Sequence, residues 1–221
     1  MMKSGYFSGY GEPKSIEEQV RILKGSFPYL DYSIKGDFCR PKGSEGLFVI
    51  PKWNKVGETY LKATLKVIDI LRSLYGGRII KWGNDFTEYT YYQNPRSQKA
   101  IEFINEQHPS DIVILPAQFG MRLKGSSVAN AKKRFYVNEF GLSTYEVGIM
   151  LITHQERLQQ YDDLRIYCLG DDVRNGIYRI STWMYVHEGF NISGIRDDLS
   201  NRHSGGVTGF LPDRVNIDKV L

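Results

Sequence analysis

Long apolar runs are missing from this chain, and so is any dense set of cysteines or histidines. The two cysteines, Cys39 and Cys168, lie far apart, and His187 and His203 have no spaced partner. A disulfide-stapled secreted scaffold is therefore excluded, and neither cysteine forms metal-ligand spacing. Both thiols are expected to be reduced, which points to the cytoplasm. No stretch approaches membrane-spanning length, and the opening Met-Met-Lys-Ser-Gly-Tyr-Phe-Ser-Gly-Tyr lacks an apolar signal core. The expectation is a soluble protein with no membrane partner. Neither the Walker spacing nor Gly-x-Gly-x-x-Gly occurs, and there is no Gly-x-Ser-x-Gly elbow. Nucleophilic catalysis thus has no motif behind it.

The rest of the composition is ordinary. A hydrophobic fraction of 41% over 221 residues is enough to bury a core without staples. A net charge of +4 gives weak attraction to polyanions, well short of a dense basic face. The 15 tyrosines read as half-buried rings, or as a surface for bases, sugars or a partner protein.

Residues 1–46 read as an arm, a short helix opened by the Ser15-x-x-Glu18 capping box, and loops. Residues 47–175 read as an α/β core. Strands are expected at 47–50, 78–82, 111–115 and 163–169, with Pro51 and Pro116 ending the first and third. Helices are expected at 56–75, after Asn94-Pro95, from Ser126 or Ser127, and after the Ser143-x-x-Glu146 box. The last of these is apolar nearly all round and should be buried. Residues 176–221 read as a β-hairpin, 178–186 with 190–195, and a glycine-rich tail wrapping over the surface. The three parts form one domain. Strands alternating with helices predict an α/β, three-layer fold with a mostly parallel, Rossmann-like sheet and a C-terminal β-hairpin addition.

Such a sheet would bring its strand ends to one edge, where open α/β folds bind ligands. Asn54, Asp85, Gln118, Arg122, Lys124, Ser126 and Ser127 would then form a ligand site. Its phosphate would rest on two cations and a capped helix start. Asp85, Asp171 and Asp172 carry hard oxygens suited to Mg²⁺ or Mn²⁺. Asp171, Asp172 and His154 are the candidate catalytic groups, for metal-assisted phosphoester hydrolysis or another nucleotide reaction. The expected partner is a phosphate-bearing ligand, with a nucleic acid or nucleotide as the class. The alternative is a non-catalytic assembly protein that oligomerises through its Tyr-rich arm and Gly-rich tail.

Overall fold

The computed structural model describes residues 6–76, 79–81, 91–173, 180–186, 189–196, 198 and 200–217. Helix α1, Ile16–Ser26, starts where the Ser15 hydroxyl accepts from the Glu18 amide. Strand β1, Gly46–Pro51, follows, then the short helix α2, Trp53–Val56, and α3, Tyr60–Leu74. The single helix expected over 56–75 is thus two. Thr59 caps α3, and Gly57 lies so close to it that a Cβ there would sit 2.5 Å from the Ala63 nitrogen. Only a glycine turn makes that sharp re-entry.

Strands β2, Ile79–Lys81, and β3, Tyr91–Gln93, lead to α4, Pro95–Gln107. Strand β4, Ile112–Gln118, runs through Pro116 instead of ending there. The Glu45 amide donates to the Ala117 carbonyl, so the polar groups of Ala117 face β1. Those of Pro116 face the other way, because neighbouring residues alternate. Proline therefore removes no donor that β1 needs.

Helix α5, Val128–Lys133, is capped by Ser127, and β5 is the short Glu139–Gly141. Helix α6, Thr144–Thr153, is buried along its whole length, as its apolar sequence predicts. It packs on β1 and is covered by α1 and α3. After it come β6, Arg165–Cys168, and β7, Asp171–Val173. The chain then forms β8, Ile180–Val186, β9, Gly189–Ile195, and β10, Ser204–Phe210. Among the described residues no helix is long and apolar enough to cross a membrane.

The sheet order is β1-β4-β10-β6-β8-β9-β2, with β5 also beside β10, while β3 and β7 form a separate ribbon. Pairing is antiparallel except between β10 and β6 and between β2 and β9. This overturns the expected parallel, Rossmann-like sheet. A helix between two strands is a parallel crossover only when those strands become neighbours. Here the strands that are consecutive around α2, α3 and α4 do not pair with each other: β4 returns to lie antiparallel on β1. The hairpin β8–β9 is confirmed, but it sits inside the sheet between β6 and β2.

The glycine-rich segment is the largest correction. Read as a surface tail, it is a central strand, with all seven residues of β10 buried. A Cβ on Gly205 would lie 2.1 Å from the Gly120 carbonyl oxygen, and one on Gly206 would lie 2.2 Å from Leu169 Cδ1. Glycine is present because its neighbours touch the backbone itself. The outer edge of β1 is closed by a side chain: the Gln19 amide donates to Leu47 O at 2.9 Å and accepts from Val49 N at 2.9 Å. One α1 residue thus supplies the hydrogen bonds of a missing strand and blunts the edge.

Gly205→Ala meets backbone that cannot move aside, whereas Gly206→Ala meets a leucine side chain that can. Urea unfolding should show a loss of about 3 kcal/mol for Gly205→Ala and a smaller one for Gly206→Ala. Equal, negligible losses would contradict this account of β10.

Candidate functional site

Antiparallel alternation scatters the strand ends, so the proposed common edge loses its geometric basis. Asp85 lies outside the described residues. Asn54 is exposed on α2, and Lys124 is exposed beyond the turn after β4. Gln118 is buried and bonds inward: its amide donates to Gly206 O at 2.7 Å and Thr208 Oγ1 at 2.9 Å, and its Oε1 accepts from Gly120 N. Ser127 caps α5, and Ser126 accepts from Arg134 at 2.8 Å.

Arg122 forms an ion pair with Glu139, which is wholly buried. Glu139 also accepts from the Thr208 hydroxyl and, at 2.9 Å, from the Tyr136 amide. The guanidinium lies 4.7 Å from the Tyr136 ring centroid. Its charge is therefore engaged within the protein, and it props the segment after α5.

Asp171 is buried and accepts from both the amide and the hydroxyl of Thr144, at 3.0 and 2.6 Å, steadying the start of α6. Asp172 pairs with Tyr92 between β7 and β3. Among the described residues no group of three His, Cys, Asp or Glu side chains could hold a metal ion.

His154 is buried against the rings of Tyr10, Phe48 and Phe119. The Lys14 amide donates to its Nε2 at 2.9 Å, so the proton resides on Nδ1, 3.1 Å from the Met150 carbonyl. Burial, then the Lys14 ammonium, holds its pKa down to about 4. It is a neutral packing residue that anchors the N-terminal arm. The arm is further fixed by Tyr6 on the Arg157 guanidinium, 4.2 Å from the ring centroid, and by Ser8 on Asp163. Arg157 itself is buried, donating to Leu164 O and Phe119 O.

One cleft combines space with cationic chemistry. Its volume is ≈ 340 Å³, and it lies where the start of α4 faces the end of α5. Asn94, Arg96 and Ser97 come from α4, and Lys132, Phe135 and Tyr136 come from α5 and the turn after it. Gly141 and Leu169 complete the floor. Local chemistry fixes the α4 side: Asn94 Oδ1 accepts from Arg96 N, Pro95 opens the helix, and Asn94 N donates to Gly170 O at 2.6 Å. On the floor, a Cβ on Gly141 would fall 2.3 Å from the Leu169 carbonyl carbon, so two backbones meet without side chains between them.

Among the described residues, the lining carries two cations and no acid. A helix start adds partial positive charge. An arginine and a lysine beside a helix start are groups that can bind an anion. A second cavity, ≈ 240 Å³, is lined mainly by apolar groups such as Phe38, Phe103, Ile114 and Phe210. Asn94 was legible in the sequence as a helix start, whereas Arg96 and Lys132 were not among the expected site residues. The Asn-Pro-Arg start of α4 was the available signal, but only the fold brings it opposite Lys132.

Comparison with known proteins finds no matching family model, curated protein or solved structure.

Two predictions follow from the buried charges. Arg122→Ala strands the Glu139 carboxylate and should cost about 3–5 kcal/mol in urea unfolding. Lys124→Ala should change stability by less than about 0.5 kcal/mol. The second concerns pH. Burial, reinforced by the Asp171 carboxylate, raises Glu146 from 4.5 to about 7. Its contribution is full below pH 4.5 and is lost as pH rises through 7. His154 runs oppositely: its contribution is full above pH 6.5 and is lost as pH falls through 4. Between pH 4.5 and 6.5 the two slopes offset each other. From pH 7 to pH 5, Glu146→Gln should lose about 2 kcal/mol while His154→Gln gains about 2 kcal/mol, so the two profiles diverge by about 4 kcal/mol. Parallel pH profiles for the two variants, from urea midpoints, would refute the assignment.

Proposed function

We propose that the protein binds a small phosphate-bearing ligand in the cleft between the start of α4 and the end of α5. The observation that carries this reading is that Arg96 and Lys132 line one cleft of ≈ 340 Å³ beside the start of α4. That volume falls within the range of small-molecule sites. Arginine offers a planar fork to phosphate oxygens, lysine adds a point charge, and the amides of a helix start favour an anion. The glycine floor lets a ligand approach the backbone.

The ligand class is the one expected from the sequence, but the residues that would hold it differ. Arg122 supports the wall of the cleft from behind, and Arg96 and Lys132 carry the charge. Binding is the function proposed.

Isothermal titration with inorganic phosphate and pyrophosphate tests this at low and high salt. Arg96→Ala and Lys132→Ala should each weaken binding roughly tenfold, because each removes a charge-assisted contact. Raising the salt should weaken it further. Lys124→Ala, outside the cleft, should bind like the unmodified protein. The reading fails if neither anion binds, or if the Arg96/Lys132 double variant binds as well as the parent.

A further inference from the structure

We infer that the ligand of this cleft is a nucleotide-class phosphate ester whose planar base stacks on Tyr136, an inference that rests on the phosphate reading above. Tyr136 lines the cleft and is 39% exposed. It does not hang loosely. The Arg122 guanidinium sits 4.7 Å from its centroid, and the Glu139 carboxylate binds both that guanidinium and the Tyr136 amide. Glu139 in turn accepts from Thr208 in the central strand.

Gly43 closes another side of the ring. A Cβ there would come within 2.7 Å of Tyr136 Cε2, and Gly43 has φ +96°, where glycine is favoured. An exposed aromatic ring is thus held in place by an ion pair anchored in the core. Rings fixed in this way lose little entropy on stacking and accept any flat base. The cations and the ring occupy one cleft, so a single ligand would bear a phosphate and a planar aromatic group. Phe135, which also lines the cleft, adds apolar area for the same group.

The test compares adenosine 5′-monophosphate, ribose 5-phosphate and inorganic phosphate by titration calorimetry on the full chain. Adenosine monophosphate should bind roughly tenfold more tightly than ribose 5-phosphate, the worth of one stacked base. Tyr136→Leu should erase that preference, bringing the two affinities together, and Tyr136→Phe should keep it. Quenching of tyrosine fluorescence by adenosine monophosphate in the unmodified protein provides a readout that does not depend on any variant folding. If ribose 5-phosphate binds and adenosine monophosphate binds no better, the stacking inference is overturned and the phosphate reading stands. If the preference survives Tyr136→Leu, the base sits elsewhere and the inference is also overturned. If none of the three binds, the phosphate reading itself has failed.

Discussion

Close backbone contact around β10 is the constraint on which the rest of the fold depends. The strand is the last regular one in the described chain, yet it lies between β4 and β6 and also receives β5. Gly205 and Gly206 leave room for Gly120 and Leu169, and Gly209 leaves room for the Phe140 ring, which a Cβ would approach to 2.8 Å. The centre of the sheet cannot close until this segment arrives. The order implies folding dominated by contacts distant in sequence, which are slow to form because loop closure precedes their reward. Strands β1 and β4 can pair early, with Gln19 covering the outer edge of β1 in place of a further strand.

Burying a backbone this bare leaves few side chains to fix register, and a polar chain through Thr208 does so. Gln118 binds Gly206 and Thr208 from β4, and Thr208 binds Glu139 in β5. Glu139 holds Arg122 and the Tyr136 amide. Each member satisfies the next, which is the condition under which a buried polar network specifies structure instead of weakening it. A one-residue slip of β10 would turn Thr208 to the other face and leave Glu139 and Gln118 short of a partner. The same network reaches the surface at Tyr136, so strand register and cleft geometry are set by the same hydrogen bonds.

Four helix starts were legible in the sequence because their signals are local. Ser15, Asn94, Ser127 and Ser143 all stand at the starts their chemistry implies. Strand pairing was not legible, because β4 could be read as a buried strand without revealing that β1 runs antiparallel beside it. The β10 segment was misread for a related reason. Glycine carries no apolar side chain, so a strand buried by close backbone approach shows no hydrophobic period and resembles a loop. The ion pair of Arg122 was not legible because a cation in a glycine loop says nothing about which carboxylate the fold will bring to it. Glu139 is seventeen residues away. His154 shows the same limit: read as a candidate catalytic group, it is bound by an arm that lies 140 positions earlier.

The location of the cleft follows from the loss of the parallel edge. In a parallel sheet the strand ends themselves gather ligand groups, whereas alternating strands send their ends both ways. A site then has to be assembled from helices docked on one part of the sheet. Here the docking point is the contact between β5 and the bend after β6, where a Cβ on Gly170 would lie 2.6 Å from Gly141 O. Because that bend is bare, its carbonyl is open to Asn94 N, and the bond places the first turn of α4 over it. Helix α5 is brought near by Val128 and Ala131 packing with Tyr167 and Leu169 on the same side. Two glycines therefore do more than permit a tight contact. They fix the distance between two helices, and the ends of those helices carry the cations that give the cleft its chemistry.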